Sequence, residues 1–205
     1  EIIYGTSWEN WDFGMLYWVN NGANTEKPKW VGEDVREVWE ETMKNSDGTE
    51  YTTHLVNGLI CQAQLTKISP NGKWIASSYR TETPAEDRLS IVTTQTAAFY
   101  NTETETTTIV SDYGESVGVH VTDDGIGFIG IGTLGISSGA VYDLNTGTDL
   151  GSTQDWVYDN YGIIIPAGYI NYVSADGRFV LGTKAESSAG GVNFINWYIA
   201  PPVAK

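Results

Sequence analysis

Three stretches of the chain are one pattern written three times. They are Ile68-Ser69-Pro70-Asn71-Gly72-Lys73-Trp74-Ile75-Ala76-Ser77, Val121-Thr122-Asp123-Asp124-Gly125-Ile126-Gly127-Phe128-Ile129-Gly130 and Val173-Ser174-Ala175-Asp176-Gly177-Arg178-Phe179-Val180-Leu181-Gly182. Each sets a Ser or Thr three residues before a Gly, and an apolar run ends five residues later at Gly or Ser. The turn glycines Gly72, Gly125 and Gly177 are 53 and 52 residues apart. A period near fifty built of strand and turn signals means a repeat architecture, in which each unit needs neighbours to bury its faces.

Reading outward from the glycines gives a four-stranded unit. Strand a is Leu65–Ile68, Val117–Val121 or Tyr169–Val173, and strand b is Trp74–Ala76, Gly127–Gly130 or Phe179–Gly182. The Asn-Gly and Asp-Gly pairs between them predict two-residue type I′ hairpins. Strand c is Val141-Tyr142-Asp143-Leu144, with counterparts at Phe99-Tyr100 and Leu16-Tyr17-Trp18-Val19 and a fourth copy at Asn193–Tyr198. Turns Asn145-Thr146-Gly147, Asn101-Thr102-Glu103 and Asn20-Asn21-Gly22 lead to strand d. Polar, tyrosine-bearing turns, Ser111-Asp112-Tyr113-Gly114 and Asp159-Asn160-Tyr161-Gly162, then lead to the next strand a.

This Ser-x-Asp-Gly hairpin, followed by an aromatic and an Asn-Thr-Gly hairpin, resembles the blade repeat of β-propellers, WD40-like in the broad sense. The Gly-His and Trp-Asp dipeptides of true WD40 blades are missing. The resemblance implies an all-β array of four-stranded antiparallel blades around a central channel, with ligands at a channel mouth. It implies no one chemistry. About three and a half blades are expected: residues 1–58, 59–114, 115–162 and 163–205. The turn glycine of the first blade would precede Glu1, so the expectation is the C-terminal part of a longer propeller of exported bacterial type. The alternative is self-association of two copies through open blade edges.

One segment breaks the period. Val35, Val38, Trp39 and Met43 lie at helical spacing, so a short amphipathic helix inserted near 31–51 is predicted, ended by Asn45-Ser46-Asp47-Gly48.

Charge narrows the function classes. A net charge of −15 argues against nucleic acid and anionic membranes, both of which need clustered Lys and Arg. The single cysteine, Cys61, excludes an internal disulfide and reads as a buried small hydrophobe. No apolar window is long enough to span a membrane. Asp123-Asp124 with Asp112 and Glu115 lacks a calcium-loop pattern, and turn geometry explains the Asp-Gly pairs. No metal or cofactor is assigned.

Aromatic residues carry the functional expectation. Trp8, Trp11 and Asp12 are placed in a b–c loop, where flat rings beside carboxylates and amides suit a sugar or a protein partner. Tyr113 and Tyr161 of the d–a turns and His120 beside the expected channel complete the candidate ligand-binding set. His120 also reads as a hydrogen-bonded structural histidine. The function expected is a non-enzymatic exported binding or scaffold module, at the periplasm or cell surface, for a carbohydrate or protein partner. The alternatives are a glycoside hydrolase or lyase and a purely structural assembly module.

Overall fold

The computed structural model describes residues 2–9, 12–19, 29–60, 67–132, 138–188 and 191–200, the first two stretches as backbone alone. Cys61 and Trp11 lie outside the described residues, and Trp8 and Asp12 belong to the backbone-only stretches. Among the described residues the chain is all-β, with antiparallel sheets and one α-helix. Sheet one holds β1 (Ile2–Glu9), β2 (Asp12–Val19) and β3 (Lys29–Trp30). Sheet two holds β4 (Glu37–Lys44), β5 (Glu50–Ile60), β6 (Lys67–Ile68), β7 (Trp74–Pro84), β8 (Ile91–Asn101) and β9 (Thr106–Val110). Sheet three is the meander β10 (Ser116–Val121), β11 (Ile126–Ile131), β12 (Ser138–Asp143) and β13 (Thr148–Ser152). Sheet four is β14 (Tyr169–Val173), β15 (Val180–Ser188) and β16 (Gly191–Ile199).

The repeated turns are hairpins, but not of type I′. Positive φ occurs at Gly72, Gly125 and Gly177 and at none of the Asn or Asp residues before them, whereas a type I′ turn needs it at both central residues. A side-chain lock sets the geometry instead. The Ser69 hydroxyl donates to Asn71 Oδ1 at 2.8 Å, and the same hydroxyl oxygen accepts from the Trp74 N–H at 3.0 Å. Ser174 repeats this with Asp176 at 2.6 Å and the Phe179 N–H at 2.9 Å. Thr122 bonds Asp124 and accepts from the Ile126 N–H at 3.0 Å. One hydroxyl thus ties the turn to the start of the next strand, or to the residue just before it in the third copy, which is why Ser or Thr stands there in every copy.

The predicted helix near 31–51 is a β-hairpin. Only Glu33–Val35 makes a single 3₁₀ turn, and β4 pairs with β5 from Glu37↔Asn57 to Lys44↔Glu50. Trp39, Glu41 and Met43 are turned inward at period two, and Met43 is fully buried. Asn45-Ser46-Asp47-Gly48, read as a helix stop, is a hairpin turn. The Asn45 N–H meets the Thr49 carbonyl at 2.8 Å, and Asp47 Oδ1 accepts from the Thr49 N–H at 2.9 Å. This hairpin extends sheet two, because Gly58–Ile60 pair with Ser78–Arg80 of β7.

One α-helix lies where a polar turn is expected: α1 spans Thr153–Tyr161. Ser152 caps it by accepting from the Asp155 N–H at 3.1 Å and donating to Asp155 Oδ2 at 2.6 Å. Gly162, at φ 66, ends it.

Two of the three apolar layers among the described residues sit between successive sheets. Val31, Leu59, Ile75, Ala98 and Tyr100 cluster on one side of sheet two, and Trp74, Ala76, Ala97 and Phe99 meet Val121, Ile129 and Ala140 of sheet three on the other. Val117, Phe128 and Val141 then meet Val157 of α1 and Tyr169, Ile170, Val173 and Val180. Strand alternation produces this, since neighbouring residues such as Ile75 and Ala76 enter opposite layers. Burying such side chains contributes about 1.5–3 kcal/mol each. Gly118↔Ile129 and Ile170↔Gly182 flank matching bulges that leave Val119 and Asn171 unpaired, so the bulge is part of the repeat.

The c–d turn repeats less perfectly. Asn101 Oδ1 accepts from the Glu103 N–H at 2.9 Å, as Asp143 Oδ1 does from Asn145 at 2.9 Å, but Glu105 stands at φ 55 where the other copy has Gly147 at φ 69. Its carboxylate also pairs with exposed Lys29. Relief of left-handed strain outweighs an exposed ion pair, so Glu105→Gly is expected to stabilise the chain by about 0.5–1 kcal/mol, read as a raised urea midpoint.

Among the described residues no helix is long and apolar enough to cross a membrane.

Candidate functional site

The three Ser-x-Asx-Gly turns stand side by side. The first and second are bridged: the Asn71 N–H donates to Asp123 Oδ1 at 2.8 Å, and Asn71 Nδ2 reaches the Asp123 carbonyl at 3.4 Å. The third turn carries Ala175 at the place of Asp123, and an alanine has no oxygen for such a bridge. Between the second and third turns lies a cleft of about 390 Å³. Its walls are Thr122–Asp124 and Ile126, Val173–Gly177, and the helix residues Trp156, Asn160 and Tyr161.

The floor is aromatic. Trp156 stands edge-on to buried Phe128 with ring centroids 5.1 Å apart, and Tyr161 meets it at 5.8 Å. The Tyr161 hydroxyl donates to the Gly177 carbonyl at 2.7 Å, tying the end of α1 to the third turn. Asn160, an exposed residue, donates from Nδ2 to the Trp156 carbonyl at 2.8 Å, so its side-chain oxygen is the group left to accept.

The rim is acidic. Asp176 is held below the usual carboxylate range by the Ser174 hydroxyl, the Arg178 N–H and the Arg178 charge. Burial and then the Asp176 charge push the Tyr161 phenol up. Asp176 therefore stays ionised, which suits a fixed hydrogen-bond acceptor rather than a general acid. Among the described residues no group of three or more His, Cys, Asp or Glu is placed to hold a metal ion.

Of the residues expected from sequence, Tyr161 lines the cleft. His120 does not. It is buried beneath it in the layer between sheets three and four, stacked near Phe128 at 5.8 Å and Tyr172 at 5.4 Å. The Val173 backbone accepts a hydrogen bond from the ring, Nε2 has no partner, and burial pulls the imidazole down to about 4. Tyr113 packs against the layer between sheets two and three, its phenol pushed up by burial and by Asp149. Trp8 and Asp12 fall at the end of β1 and the start of β2, in register with Phe13 and Glu9, rather than in a loop. Trp156 and Asn160 were missed. The signal for them is the Ser152-x-x-Asp155 capping pair with Gly162, which marks a helix carrying both.

Comparison with known proteins finds no matching family model, no matching curated protein and no matching solved structure.

Proposed function

We propose that the chain is a propeller-type array of blades acting as a non-enzymatic binding module, and that the cleft between the second and third turns receives a neutral carbohydrate. The observation that carries this is the pairing of a half-buried tryptophan floor with an acidic rim that includes ionised Asp176. A sugar ring offers C–H faces to the indole and hydroxyl donors to Asp123, Asp124, Asp176 and Asn160. The volume lies within the roughly 300–1,000 Å³ of small-ligand sites. Sheet-on-sheet stacking at a period of 52 to 53 residues and the meander order of sheet three support the propeller reading. Export to the periplasm or cell surface belongs to the same proposal and is supported by the acidic, cysteine-poor composition.

Retention on an array of neutral oligosaccharides tests the reading. Trp156→Ala is expected to weaken the retained ligand at least about tenfold, or about 1.4 kcal/mol. Because Trp156 also packs on Phe128, exposed Asn160→Ala serves as a second variant with the fold intact and is expected to weaken binding severalfold. Equal retention of both variants and the wild type overturns the site.

A further inference from the structure

Sheets two, three and four align through their turns. The residue whose N–H is held by the turn hydroxyl is Trp74, Ile126 or Phe179. Two residues on, Ala76, Phe128 and Leu181 face the direction of the following sheet. Their cross-strand partners are Phe99, Val141 and Tyr198. Phe99 and Val141 are both 0% exposed, since sheet three covers the first and sheet four the second, but Tyr198 is 70% exposed. Phe194, at 56%, shares its face by strand alternation, and Phe179 is 36% exposed. Phe179 stacks on Tyr198 at 6.2 Å and 18° and meets Tyr172 at 6.4 Å.

The rest of this face, where described, is Leu181, Thr183, Asn171 and Asn196. The last three form one chain of hydrogen bonds, Asn171 Nδ2 to Thr183 Oγ1 at 2.6 Å and Thr183 Oγ1 to Asn196 Oδ1 at 2.8 Å. No carboxylate, lysine or arginine stands among these residues, in a chain of net charge −15.

We infer that this outer face of sheet four is the surface on which a second copy of the chain docks, face against face about a two-fold axis. Continuity gives the first reason: the same face of sheets two and three is already an interface, buried by a sheet of this fold. Charge gives the second. Two chains of −15 repel, and a contact whose described residues hold no carboxylate adds least to that repulsion. Chemistry gives the third, since tyrosine and phenylalanine anchor interfaces and an uncharged aromatic patch complements itself, closing the assembly at two copies. The inference does not rest on the cleft or on its ligand.

Sedimentation equilibrium of the wild-type chain from roughly 1 to 100 µM is the test. A monomer–dimer equilibrium is expected. Tyr198→Asp is expected to raise the dissociation constant at least about a hundredfold, because both copies lose the contact. Tyr158→Asp, on the exposed side of α1, is the control and leaves the dimer unchanged. Near-ultraviolet circular dichroism establishes that both variants are folded, and both substitutions fall on exposed side chains. A wild-type monomer throughout the range overturns the inference, whatever else the face meets. A dimer that Tyr198→Asp leaves intact, or that Tyr158→Asp dissolves equally, also overturns it.

Discussion

Gly118→Ala is expected to cost about 3 kcal/mol, and Gly118→Val to leave no folded protein. Gly118 lies on β10, where sheet three packs against the backbone of sheet two. A Cβ there would stand 2.7 Å from the Ser77 carbonyl oxygen, 2.9 Å from that of Ala98 and 3.1 Å from the Ser77 nitrogen. All three obstacles are backbone atoms inside strands, so neither rotamer change nor a local shift relieves the clash. The sheets must move apart, and Val121, Ile129 and Phe99 would lose contact together. Gly58→Ala is the control, because its nearest obstacle is the flexible Arg36 side chain at 3.5 Å. Urea denaturation should place Gly58→Ala within about 0.5 kcal/mol of the wild type. Equal midpoints for Gly58→Ala and Gly118→Ala would contradict the close stacking of sheets two and three.

The second large effect is a loss of stability on mild acidification, driven by His120. Burial away from water lowers its folded-state value from 6.5 to about 4, with Lys67 adding a repulsive charge and the Val173 backbone opposing the shift. The neutral ring is therefore favoured in the folded state. Above pH 6.5 both folded and unfolded forms are neutral and the full stability is present. Between pH 6.5 and about 4 the unfolded chain takes up a proton that the folded chain refuses, so stability falls by about 1.4 kcal/mol per pH unit, about 3 kcal/mol in all. The carboxylates with lowered values, Glu41, Asp47, Asp143 and Asp176, have reference values between 3.8 and 4.5 and lose their contribution below that range. The histidine window is thus separable. His120→Phe keeps a ring between Phe128 and Tyr172 and is expected to flatten the stability profile between pH 6.5 and about 4. Urea midpoints at pH 7, 6 and 5 check this, and an equal slope in the variant would refute the assignment.

The parts of the fold legible in the sequence are those encoded within a few residues. Ser69, Thr122 and Ser174 with their Asx and Gly partners form complete hydrogen-bonded locks inside one turn, so spacing alone locates three hairpins and the strands beside them. The turn type was not legible, because a two-residue Asn-Gly signal and a four-residue Ser-x-Asx-Gly lock contain the same dipeptide. Over 35–43 the apolar residues fit a helical period, while Trp39, Glu41 and Met43 fit a strand. Tertiary pairing of β5 with β7 decides for the strand, and that contact joins residues about twenty apart. Helix α1 has readable caps at Ser152 and Gly162, but its counterpart at 111–113 is a single 3₁₀ turn, and reading by repeat hid the difference. Tyr161, singled out from the sequence, stands on the wall of the cleft. The cleft itself was not legible, since it depends on Ala175 standing where the preceding turn has Asp123, and on α1 closing the third side.

The central claim is that this cleft binds a neutral sugar. Its most direct test is a ¹H–¹⁵N NMR titration of the wild-type chain with the oligosaccharide best retained on the array, with the Trp156 indole N–H assigned from Trp156→Phe. The account predicts saturable shifts of that indole and of the backbone N–H groups of Asp124, Asn160 and Asp176, with sheet one and the β4–β5 hairpin unmoved. Shifts confined to other regions, or none at concentrations where the array retains the chain, would contradict it.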